Sequence, residues 1–160
     1  MPLQTVRFDV AGDVQYARAF EAAAKEAEDL SEPLGQVGDA VLRDVFEQFR
    51  TEGTFGHGSK WKELSPGYAE WKRQQVGEEP ILVFKGTTRD AMIARSAVSV
   101  SPRRMVYDPK APKYALRHQQ GEDGMPQRKM VEIPETDRRQ WDRYFVEWLN
   151  SIRREKLAGL

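Results

Sequence analysis

The chain has no cysteine. That excludes a disulfide framework, a thiolate zinc site and cysteine catalysis, and it suits a reducing compartment. Histidine is nearly as scarce, with His57 and His118 far apart in the sequence. Neither belongs to an HExxH-like pair, so no local ligand spacing points to a metal, and no cofactor is expected. Net charge is missing as well: 25 basic residues offset 25 acidic ones. No global field draws in a polyanion, and affinity for nucleic acid would need a local patch. No segment approaches the roughly 18 apolar residues of a membrane span. The opening MPLQTVRFDVAGD has neither the basic start nor the apolar run of a secretion signal. The expectation is a protein made and assembled in a cytoplasm.

What is present is enough to fold. The length of 160 residues fits one domain, and four Trp, seven Phe and five Tyr offer the material of a core despite 31% charged residues. Val6, Phe8 and Val10 alternate with polar neighbours, which predicts a strand over residues 3–10 closed by Ala11-Gly12. Asp13 then caps an alanine-rich helix with a thin apolar stripe of Val14, Ala17 and Phe20. Leu42, Val45, Phe46 and Phe49 carry the strongest amphipathic signal and predict a core helix over residues 33–51. TFGHGSKW, whose two glycines follow closely on Gly53, reads as a loop.

Ser65-Pro66 opens a short helix with Tyr68 and Trp71 on one side, ended by Gly77, and Thr87 caps another through TTRDAMIARSA. VSVS and RMVYD alternate across Pro102-Arg103 as a hairpin. Residues 113–120 fit a helical turn or a strand, and residues 125–133 fit a strand. Trp141, Tyr144, Phe145, Trp148, Leu149 and Ile152 predict a long amphipathic helix over residues 135–157. Together these give an α+β fold, a small antiparallel sheet packed by long helices.

Chemistry is harder to find. His118 near Glu122 and Asp123 has the composition of an acid–base site, but a loop histidine beside acidic residues is a common solvated arrangement. GHGS lacks the GK[ST] order of a phosphate-binding loop. The cations between residues 103 and 139, with Tyr107, Tyr114 and Trp141 among them, define the alternative reading, a nucleic-acid-binding module. Trp61, beside the glycine loop, fits a core position and an intersubunit anchor equally well.

Four pieces stand in a telling order: FEQFRTEG, SKWKELSPGYAEWK, ILVFKGTTRDAMIA and YALRHQQGEDGMPQRKMVEIP. In this order the chain resembles the bacteriophage virion-morphogenesis family, the tail-completion and head-to-tail joining proteins of tailed phages. The matching positions are Gly56, Trp61, Leu64, Ser65, Lys72, Gly86, Arg89, Tyr114, Ala115, His118, Gln119, Gly121, Met125, Pro126 and Arg128. Members often continue Met-Pro-x-Arg with Pro-Phe, where this chain has Lys129-Met130. The resemblance implies a single tail-completion-like domain over residues 1–160, with residues 1–12 as an N-terminal strand or arm. It implies a non-enzymatic subunit with no catalytic residues, a homo-oligomeric ring of six around the DNA channel at the head–tail junction of the virion. Its partners would be the tail tube or tail terminator, the neck or connector proteins and the passing genome. Trp61, Tyr114, His118, Gln119, Gly121, Met125, Pro126 and Arg128 become the interface or loop-ordering residues. His118 would hydrogen-bond rather than catalyse, and Arg128 would face a partner's carboxylates or the channel.

Overall fold

The computed structural model describes residues 13–57 and 59–157. The strand expected at residues 3–10 lies outside them. In chain order the described elements are α1 (Asp13–Glu26), α2 (Ser31–Arg50), α3 (Thr54–His57), α4 (Pro66–Val76) and α5 (Thr87–Ile93). A 3₁₀ turn (Arg95–Ala97), β1 (Val98–Ser101), β2 (Arg104–Tyr107), α6 (Lys113–Gln120) and α7 (Glu135–Leu157) follow. The fold is α+β, and its sheet is the expected hairpin, with Val98 opposite Tyr107 and Ser101 opposite Arg104.

The central element is α2, against which both strands, α5 and α7 pack. Val37, Val41, Val45 and Phe49 recur every four residues, the spacing that stacks side chains along one face of a helix, and all four are buried. Phe46 is a correction: it lies about 100° around the helix from Val45 and is 42% exposed. The buried arc instead takes in Asp44 and Gln48, each 1% exposed. Trp61 packs edge-on to Phe49 with ring centroids 5.6 Å apart, so it is a core residue. Later in the chain Ile81, Val83, Met92, Met130 and Trp148 are among the further buried apolar residues.

Other expectations shift in detail. TFGHGSKW is not wholly irregular, because its start winds into α3. Thr51 makes this turn possible: its hydroxyl donates to the Glu47 carbonyl at 2.8 Å and accepts from the Phe55 amide at 3.0 Å. The cap of α5 is the main chain of Gly86, at φ 78°, with no side-chain cap bond. The Val14 and Phe20 side chains of α1 are 57% and 58% exposed, so they add nothing to the core. That helix lies along α7, where Lys156 Nζ reaches Glu26 Oε2 at 2.9 Å.

Where α2 meets the first turn of α7, Asp44 and Asp137 come together. Burial is the main cause lifting the Asp44 carboxyl above its ordinary value; the Arg43 guanidinium opposes this, and Asp137 adds to it by charge and by a side-chain hydrogen bond. The Asp44 Oδ2 atom is buried with no hydrogen-bond partner among the described residues, a setting that disfavours the charged carboxylate. The sign follows directly. A raised folded-state value means that the folded chain holds a proton the unfolded chain releases, so this group's contribution grows as pH falls through the folded value toward 3.8 and is lost as pH rises. Asp44→Asn removes that dependence. Urea titrations across this range should show wild type gaining stability relative to the variant on acidification, and a constant difference would refute the raised Asp44 value.

Candidate functional site

The residues that mark the sequence converge on one stretch, residues 125–131, expected as a strand. Among the described residues it pairs with no strand. A chain in extended form exposes amide and carbonyl groups that must be satisfied elsewhere, and here side chains from three distant segments do it. The Lys129 carbonyl accepts from Gln48 Nε2 at 2.9 Å and from Trp61 Nε1 at 3.1 Å. Gln119 Oε1 accepts from the amides of Met130 and Val131 at 2.7 and 3.1 Å, and its Nε2 donates to the Val131 carbonyl at 2.9 Å. One amide side chain thus imitates a partner strand. Adjacent to it, the Arg128 amide donates to the His118 carbonyl at 2.7 Å.

The approach to this stretch is fixed by α6, which residues 113–120 form. Its end is Gly121, at φ 75°, donating to the Arg117 carbonyl, and a Cβ there would stand 3.0 Å from Gln127 Cβ. Positive φ and this crowding both favour glycine. Gly53 serves the opposite wall: at φ 94° an added Cβ would fall 2.4 Å from Trp61 Cδ1. The missing side chain is what lets the indole lie down over α2.

Arg128, expected to face a partner's carboxylates or the channel, is 5% exposed, so its guanidinium is recessed rather than projecting. Its Nε and Nη2 donate to the Lys62 carbonyl at 3.0 and 2.8 Å, and Nη2 also to that of Glu63 at 3.3 Å. Burial lowers its pKa below the usual guanidinium value. Burial, and then the Arg128 charge, hold the His118 imidazole below its ordinary 6.5, so it is neutral at neutral pH. The imidazole hydrogen bond expected of His118 is missing at Nδ1, which is buried without a partner; the main chain of His118 orders the loop instead. The Tyr114 hydroxyl accepts from Thr88 Oγ1 at 2.8 Å, tying α6 to α5. Met125 and Pro126 are half-buried.

Alongside lies an open cleft of about 690 Å³ walled by α4, the turn before α5, and α6, with Leu64, Tyr68, Phe84 and Met125 among its apolar lining and Lys72, Lys85, His118 and Arg128 as its basic groups. Lys72 is 5% exposed and donates to the carbonyls of Glu79 and Pro80 at 2.7 and 2.6 Å. Among the described residues no cluster of His, Asp and Glu could hold a metal ion. The cations of residues 103–139 do not form one free face: Arg117 pairs with Asp123 at 3.2 Å, Lys129 with Glu132 at 2.8 Å, Arg138 with Glu135 at 3.8 Å, and Lys110 with Asp108.

Gln48 and Lys72 were not singled out for these roles. Gln48 left a trace, a polar residue inside the buried arc next to Phe49. Lys72 matches a motif position, yet nothing in the sequence marks its ammonium as buried.

These features define an α+β protein whose marked side chains hold a loop in place. The sequence model of the phage virion morphogenesis family matches residues 13–150, and the chain belongs to that family, which places it in the structure or assembly of a bacteriophage virion. No curated protein and no solved structure gives a significant match. Among the described residues no helix is long and apolar enough to cross a membrane.

Proposed function

We propose that this protein is a non-enzymatic structural subunit of a tailed-phage virion. It assembles as a homo-oligomeric ring, a hexamer, at the head-proximal end of the tail or neck, and joins tail to head around the DNA channel. The observation that carries this reading is the use of the motif residues in a chain of the virion morphogenesis family. Trp61, Gln119 and the main chain of His118 hold a loop rigid, the work of a surface that must keep its shape in an assembly. Balanced charge supports it: subunits carrying both signs can pair opposite patches, and a nearly neutral bore lets DNA slide. The rival nucleic-acid module is disfavoured by the pairing of four of its cations, Lys110, Arg117, Lys129 and Arg138, with neighbouring carboxylates.

Immunogold electron microscopy of the source phage tests the position, with tailless particles as control. Label concentrated at the head–tail junction, and a six-subunit mass by sedimentation, are the expected results. Virions without label, with antigen present in the lysate, would leave a transient assembly factor in its place.

A further inference from the structure

The cleft between α4 and α6 carries two buried cations with no anion in contact among the described residues. Lys72 and Arg128 are each 5% exposed, and each donates only to main-chain carbonyls. Glu52 and Glu79 attract Lys72 from beyond contact, and Glu52 is itself engaged by the Ile81 amide at 2.8 Å and Lys60 Nζ at 2.9 Å. Buried charges in folded proteins are normally paired, because carbonyl dipoles alone recover only part of the lost hydration. Arg128 Nη1 makes none of the bonds described. Lys85 adds an exposed cation to the same lining. His118 Nδ1, buried and unpartnered, adds an unused polar atom. The rest of the lining is Leu64, Tyr68, Phe84 and Met125.

We propose that this cleft is a docking site for an acidic peptide segment of another protein, whose carboxylates sit over Lys72, Lys85 and Arg128 and whose apolar side chains fill the space beside Leu64, Tyr68 and Phe84. The volume, about 690 Å³, falls in the range that takes a few side chains. Duplex DNA fits poorly: phosphates are met by cations that project from a surface, whereas Lys72 and Arg128 are recessed and anchored. Single-stranded bases fit no better. They stack on ring faces, and although Tyr68, Trp71 and Tyr114 are half exposed, Trp71 already stacks on Phe84, centroids 5.3 Å apart and planes 4° from parallel, with Tyr68 leaning on Trp71 at 5.4 Å. The inference does not depend on the ring or on its place in the particle.

The test uses the full chain and a fluorescein-labelled peptide alternating Glu-Asp with Leu-Phe, with the Gln-Asn version as control. Fluorescence anisotropy should show the acidic peptide binding at least about tenfold more tightly than the control, since loss of charge-assisted bonds of about 1.5–3 kcal/mol each corresponds to that or more. Lys85→Glu and Tyr68→Ala alter exposed side chains, so the fold survives, and each should weaken binding about tenfold or more. Equal binding of both peptides, or of neither, overturns the proposal. So does displacement of the acidic peptide by a DNA oligonucleotide whose own binding is lost in Lys85→Glu, which would make the ligand a nucleic acid. Concentration-dependent self-association abolished by Lys85→Glu would overturn it too, by seating a second copy of this chain in the cleft.

Discussion

Trp61→Ala lowers the unfolding free energy by about 3–5 kcal/mol, the range for truncating a buried large aromatic residue. The indole is 5% exposed, its ring edge meets Phe49 at 5.6 Å, and its Nε1 holds the Lys129 carbonyl. Truncation therefore opens a cavity beside α2 and also releases the loop. Trp61→Phe separates the two losses. It keeps a ring against Phe49 but donates nothing, and it should cost about 1–2 kcal/mol, a hydrogen bond and a modest void. Urea unfolding of the three proteins measures this. A loss below about 1 kcal/mol for Trp61→Ala would show that the indole does not bridge core and loop.

Gln119→Leu is the second large effect. Leucine is apolar and one bond shorter, so it cannot replace an acceptor of two amides and a donor to a carbonyl. Met130 is 1% exposed, so water does not easily take over. Leaving buried polar groups unmet costs about 1–3 kcal/mol each, and partial relaxation makes about 2–4 kcal/mol the expected total. Hydrogen exchange gives the sharper readout: the amides of Met130 and Val131 should lose protection well beyond the global change in stability. Gln119→Glu keeps the acceptor and should retain most of their protection at neutral pH. If both amides stay protected in Gln119→Leu, another group is satisfying them and the strand-imitating role is wrong.

Both predictions concern the same stretch, and it was the least legible part of the sequence. Alternation in residues 125–133 reads as a strand because extended backbone with alternating burial looks the same whether its partner is a ladder or a set of side chains. Nothing local says that the partners are Gln48, Trp61 and Gln119. The short motifs did single out Trp61, His118, Gln119, Gly121 and Arg128 together, and all five meet around this loop. Their individual roles differed from expectation where burial intervened: Arg128 turned inward to two carbonyls, and His118 contributes its main chain.

The sequence by itself determined α1, α2, α4, α5 and α7, the hairpin and the family, because these depend on short-range periodicity, turn residues and the order of short motifs, whereas it read α3 as loop and left α6 open between helix and strand. It excluded cysteine chemistry by composition. Only the tertiary structure decided which face of α2 is buried, that side chains of Gln48, Trp61 and Gln119 bind the main chain of residues 129–131, and that Lys72 and Arg128 lie recessed beside one cleft. Each of these turns on contacts between residues tens of positions apart, where burial and hydrogen-bond satisfaction are settled by packing rather than by neighbours in the chain.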